Sequence, residues 1–138
     1  MKTRLLLLFL SLFSVSSFAA VISVVNGDNL QTKITNAVAG DVLIVGPGVY
    51  NANNNIILTK KLTILGPGYF KSGGTAFVYQ IFCKTGSEGS YISGLEIQYD
   101  AFIAANNVTF IRNLVNRTLT MGYDGSDYFN LNNVKILQ

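Results

Sequence analysis

Seven carboxylates, one thiol and no imidazole set the chemistry open to this chain. The carboxylates are Asp28, Asp41, Glu88, Glu96, Asp100, Asp124 and Asp127, scattered through 138 residues. Without histidine, the usual general base at neutral pH and the commonest transition-metal ligand are both missing, which removes serine and cysteine triads built on imidazole. Cys83 is the only cysteine, so an intramolecular disulfide and a thiolate zinc site are excluded. Preceded by Ile81 and Phe82, it reads as a small buried apolar residue.

Two constellations remain as surface candidates. Glu96 lies between two apolar residues that should point inward, so it should point outward, with Arg112 about one structural repeat further on. An exposed cross-strand ion pair of that kind contributes under about 1 kcal/mol. The second is the polar loop Asp124-Gly125-Ser126-Asp127, flanked by Tyr123 and Tyr128. Asp124 and Asp127 invite Ca2+, but that ion takes about six to eight oxygens and no glycine-spaced Asp ladder follows, so a plain turn is the favoured reading. Glycosidase chemistry needs two carboxylates flanking a bond at a set separation, and the seven here are widely scattered in sequence. The expectation is therefore no catalytic residue, no metal site and no cofactor, with Glu96, Arg112, Tyr123, Asp124 and Asp127 as surface candidates. Seven tyrosines and no tryptophan leave room for sugar stacking. Packing at corners is the favoured role for Tyr69, Tyr79, Tyr91, Tyr99 and Tyr123.

The elements that must carry these residues begin after a leader. Lys2 and Arg4 precede an apolar run over 5–13, small residues follow, and Ser17-Phe18-Ala19 suits cleavage after Ala19. Residues 1–19 thus read as a secretory signal peptide, which places the product in the extracellular space, at the cell surface or in the periplasm, with no membrane attachment after cleavage. Removing Lys2 and Arg4 leaves eight basic against seven acidic residues. Lys60-Lys61 is then the only adjacent basic pair, and nucleic acid is not an expected partner.

Beyond the leader, 21–25 reads as a short strand, and Asn26-Gly27-Asp28-Asn29 supplies turn chemistry and a helix cap. Leu30, Ile34, Ala37 and Val38 form one apolar stripe, which predicts a helix over 30–39 ended by Gly40. From Val42 onward short apolar runs alternate with Gly, Asn, Ser and Asp. They predict strands at 42–45, 56–59, 62–65, 76–82, 91–98, 102–104, 108–111, 114–119 and 134–137.

The runs also repeat. LIVGPGVY at 43–50 returns as TILGPGYF at 63–70, and FIAANNVTFI at 102–111 returns as YFNLNNVKIL at 128–137. With Ile44, Ile64, Ile92, Phe110 and Ile136 as equivalent positions, the intervals are 20, 28, 18 and 26 residues. A repeat of this length, with insertions confined to loops, is the mark of a coil of stacked strands. Val42/Ile44, Leu62/Ile64, Leu95/Ile97 and Val134/Ile136 are expected inside, and the Asn106-Asn107 and Asn132-Asn133 pairs at corners, bonding one coil to the next.

Gly40-Asp41 followed by an apolar strand, Pro47-Gly48-Val49-Tyr50, and Ile92-Ser93-Gly94-Leu95-Glu96-Ile97 together resemble the opening of right-handed parallel β-helix proteins of the pectin-lyase-like group. The resemblance implies an all-β parallel β-helix (β-solenoid) over 20–138, its first coil capped by the short α-helix. The paired Asp signature, the histidine and the Arg-x-Lys element of the pectin-hydrolysing members are not found. Because the last run ends in mid-strand, the coil is expected to be incomplete at its C-terminal end, or to pair its edge with a further segment or chain. The functional expectation is a secreted scaffold or carbohydrate-contacting surface without its own catalytic site, with polysaccharide as partner. The alternative is the N-terminal part of a polysaccharide lyase-like enzyme whose active groove lies beyond residue 138.

Overall fold

The computed structural model describes residues 18–68 and 72–137. The signal-peptide reading of 1–17, Tyr69 and Phe70 of the repeated turn, and Gln138 lie outside the described residues. The chain forms a parallel β-solenoid of about five turns. One sheet stacks β1 (Val21–Val24), β2 (Val42–Val45), β4 (Thr63–Leu65), β6 (Tyr91–Ser93), β9 (Thr109–Ile111) and β12 (Lys135–Leu137) in that order. The second is built on β5 (Ala76–Cys83), which pairs with β3 (Gly48–Leu58) on one side. On its other side, residues 76–78 pair with β7 (Leu95–Ile97), and 81–83 pair with β8 (Ala101–Ile103). β10 (Leu114–Val115) and β11 (Leu119–Met121) continue those two lanes. Every one of these pairings is parallel, so each short run gains its backbone partners from the coils before and after it.

Stacking puts residues far apart in sequence into one column. Ile22, Leu43, Ile64, Ile92, Phe110 and Ile136 are register partners in turn. The middle four are fully buried, and Ile22 and Ile136 close the column half-buried at its ends. Four of the five positions expected to be equivalent therefore share this column. The fifth is Leu43: Ile44 points outward and is 48% exposed, and Val42 is also on the outer face. Strand alternation gives the reason. Asp41 turns inward at the bend, so Leu43 and Val45 follow it into the core while Val42 and Ile44 face out. A run of four apolar residues carries no parity of its own.

Two predicted long strands are each broken in two. The 91–98 run is split at Gly94 and the 114–119 run at 116–118, where the coil turns a corner. Conversely, Gly48 to Tyr50 is a strand that the Gly-Pro-Gly signature concealed. Inside the bend around Gly94, the buried Asn113 accepts from Leu95 N–H and donates to the Ile92 carbonyl, both at 3.0 Å. The Asn corners behave as expected. Asn107 and Asn133 adopt left-handed backbone (φ 57° and 55°), Asn133 Nδ2 donates to Asn107 Oδ1 at 2.9 Å, and Asn132 N–H donates to Asn106 Oδ1 at 2.7 Å.

The first end is closed by α1 (Leu30–Asn36), capped by Asn29 Oδ1 accepting from Thr32 N–H. Leu30, Ile34 and Ala37 are buried, but the helix stops three residues short of the expected end and leaves Val38 59% exposed. Its last turn is taken over by tertiary partners: Lys60 Nζ donates to the Thr35 and Ala37 carbonyls, and Asp41 Oδ2 accepts from Val38 N–H. The helix also finishes the edge of β3. Gln31 Oε1 accepts from Ile57 N–H at 2.7 Å and its Nε2 donates to the Ile57 carbonyl, so one side chain stands in for a missing strand. At the other end, Val115, Leu119, Leu131, Val134 and Ile136 are only partly buried.

Candidate functional site

Alternation along the second sheet places Ile57, Phe82, Phe102 and Thr120 in one outward row, and Val49, Phe77, Glu96 and Leu114 in another. Strand spacing then stacks like upon like. The Phe82 and Phe102 rings lie 4.5 Å apart and 12° from parallel, and Tyr123 meets Phe102 edge-on at 6.0 Å. Around the corner, Tyr79 and Tyr99 are 4.5 Å apart, with the Arg117 guanidinium 5.3 Å over Tyr99. The rings thus spend their faces on one another, which favours the corner-packing role over pyranose stacking.

Tyr123, Asp124 and Asp127 come together as one unit. The 123–128 loop folds back on itself through an antiparallel bridge between Tyr123 and Tyr128, whose rings are 4.8 Å apart. Asp124 Oδ1 accepts from Ser126 N–H at 2.8 Å and Asp127 N–H at 2.9 Å, the geometry of an Asx turn. Its Oδ2 lies 3.7 Å from Lys84 Nζ, and that ammonium also sits 5.7 Å from the Phe82 ring centre. Asn55, Ile57, Phe82, Lys84 and Asp124, with the 125–126 turn, line a concavity of about 210 Å3.

The hydrogen bonds from Asp127 and Ser126, with Lys84 behind them, hold the Asp124 carboxyl below its ordinary value of 3.8. A carboxyl that binds its proton less tightly when folded contributes stability above its unfolded pKa and loses it as pH falls through the folded one. The Asp124 side-chain resonance should therefore titrate below 3.8, and Asp124→Asn should remove that part of the acid sensitivity. Titration at an ordinary value would show that the turn does not hold the carboxylate.

Glu96 and Arg112 do not form the expected ion pair. Glu96 does face outward, between the buried Leu95 and Ile97, but its register partner is Leu114 and its oxygen accepts from Asn116 Nδ2 at 3.4 Å. Arg112 stands at the bend before β10 with left-handed backbone (φ 53°), where its carbonyl accepts from Gly94 N–H. Because Ser93 pairs with Ile111 and Glu96 with Leu114, Arg112 falls opposite Gly94 at the corner and not in the row of Glu96.

The remaining carboxylates also serve the architecture. Asp28 accepts from Val25 N–H and pairs with Lys33 at 3.3 Å, and both hold its pKa below 3.8. Asp100 joins Gln80 on the preceding coil to Thr118 N–H on the next. Glu88 accepts from Gly86 N–H, and Asp41 from Ala20 and Val38 N–H. Sequence reasoning passed over Gln31, Lys60, Asn51 and Asn113, which bond across coils. Of these only Asn113 left a signal: it stands one place before Leu114, where the preceding coil has the buried Leu95 before Glu96. Burial pushes the Cys83 thiol up to about 12, the condition of an inert packed sulfur.

Among the described residues, no group of three or more His, Cys, Asp or Glu side chains converges, and no helix is long and apolar enough to cross a membrane. A scan of protein-family models, a search of curated proteins and a search of solved structures each return no match for this chain.

Proposed function

We propose that this chain is a secreted β-solenoid scaffold that presents its outer faces extracellularly and carries no catalytic site of its own. One observation supports this above the others: six of the seven carboxylates are engaged in holding turns, coils or the capping helix. A carboxylate bound by fixed N–H donors acts as a stabiliser of the backbone around it. The ladders of Phe82/Phe102 and Tyr79/Tyr99 serve the same end, since they fasten neighbouring coils through their outer faces. Polysaccharide is the partner class such a surface would meet outside a cell, through ring edges, tyrosine hydroxyls and amides such as Gln98 and Asn116.

The purified secreted product should generate no unsaturated uronide from a panel of acidic polysaccharides, with or without Ca2+. It should still shift in affinity electrophoresis on at least one of them. Formation of unsaturated product by this chain alone would replace the scaffold with a lyase. Absence of any shift would restrict the scaffold to a purely structural role.

A further inference from the structure

The first coil contains a carboxylate with no counter-charge among the described residues. Asp41 is 4% exposed, and both of its oxygens are occupied by backbone donors: Oδ1 by Ala20 N–H at 2.8 Å and Oδ2 by Val38 N–H at 2.7 Å. Among the described residues the ion pairs are Lys33 with Asp28 and Lys84 with Asp124, so no cationic side chain reaches it. The cations of that corner are turned elsewhere. Lys60 Nζ is held by the Thr35 and Ala37 carbonyls, and the Lys61 side chain lies along Gly89 of a later coil. Buried carboxylates are ordinarily paired with a cation as well as hydrogen-bonded.

Among the described residues, Ala20 is also the first that the coil grips. Its carbonyl accepts from Val42 N–H at 2.8 Å while its N–H is given to Asp41, and β1 begins at the next residue. Phe18, by contrast, is 87% exposed. The Ser17-Phe18-Ala19 cleavage signal thus ends at the residue before the one whose nitrogen Asp41 holds.

We propose that Asp41 is a docking site for the α-ammonium of the processed chain. Hydrolysis of the Ala19–Ala20 peptide bond by a secretory signal peptidase adds the hydroxyl of water to the Ala19 carbonyl carbon and its proton to the Ala20 nitrogen. At neutral pH that nitrogen takes up one more proton, and a neutral amide donor becomes a cation in contact with the buried carboxylate. Processing then supplies the missing counter-charge and locks the first coil against β2. The idea rests on the secretory reading above, and its test separates the two.

N-terminal sequencing of the secreted protein should give Ala20 as first residue; any other start overturns both the docking and the cleavage position that the secretory reading uses. With that start established, the α-amine, followed by NMR of its 13C-dimethyl derivative, should titrate above the ordinary α-amino range of about 7.7–8.0. It should return to that range in Asp41→Asn. Because that variant removes an acceptor and threatens folding, a comparison without substitution is decisive by itself. Acetylating the Ala20 amine should lower the folding equilibrium constant roughly tenfold in urea titrations, the difference between a charged and a neutral hydrogen bond. An ordinary amine pKa, or equal stability of the acetylated and free forms, would overturn the docking while leaving secretion intact.

Discussion

Gly94→Ala should destabilise the solenoid by roughly 2–4 kcal/mol, read as a lower urea midpoint with an unchanged slope. Gly94 turns the corner between β6 and β7 with φ 77°, a backbone conformation that a Cβ strains. Space makes it worse. A Cβ on Gly94 would run into the Gly66 carbonyl oxygen, and one on Gly66 into that of Gly94. These carbonyls belong to backbone already committed to the ladder, since Gly68 N–H donates to Gly94 O and Gly66 N–H to Ser93 O. Neither side can retreat without opening hydrogen bonds between coils. Gly66→Ala should therefore be similarly damaging. The double variant should cost clearly less than the sum, because one separation of the two corners relieves both clashes. Full additivity would mean that the corners do not touch.

The same corner marks where the repeat was legible and where it was not. The recurrence of Gly46-Pro47-Gly48 as Gly66-Pro67-Gly68, and of the Asn-Asn-Val segments, was enough to predict stacked coils, because a turn that needs glycine or left-handed Asn leaves a chemical signature. Arg112 adopts the left-handed conformation at the place equivalent to Gly94, and no residue-type rule would have chosen it. Its carbonyl is held by Gly94 N–H, so the neighbouring coil imposes the bend that its own side chain resists. The candidate site shows the same division. Tyr123, Asp124 and Asp127 were legible as a unit because the Asx turn is local, within four residues. Whether Glu96 meets Arg112 depended on a corner between them, and tertiary context decides corners. The side-chain caps Gln31 and Lys60 were invisible for a related reason: each bonds to backbone 23 to 26 residues away, beyond any local pattern.

The parity of β2 provides the most discriminating test of how the coils sit on one another. Leu43→Ala should destabilise the fold by about 2–5 kcal/mol, whereas Ile44→Ala, removing a side chain of similar size one residue along, should stay within about 0.5 kcal/mol of the parent. Leu43 is fully buried and sits between Ile22 and Ile64 in the central column, while Ile44 lies outside between Ser23 and Leu65. Further down that column Phe110→Ala should cost about 3–5 kcal/mol, because the ring fills the space between Ile92 and Ile136 and the half-buried last coil gives it little else to lean on. Slippage of β2 by one residue would exchange the first two results, since every side chain on a strand changes face when the register moves by one. Equal losses at 43 and 44 would mean that both faces of β2 are covered, the outer one by a segment or partner lying over Val42 and Ile44. The contrast between neighbouring residues thus measures two things at once: which face of the first full coil is the core, and whether the other face is bare.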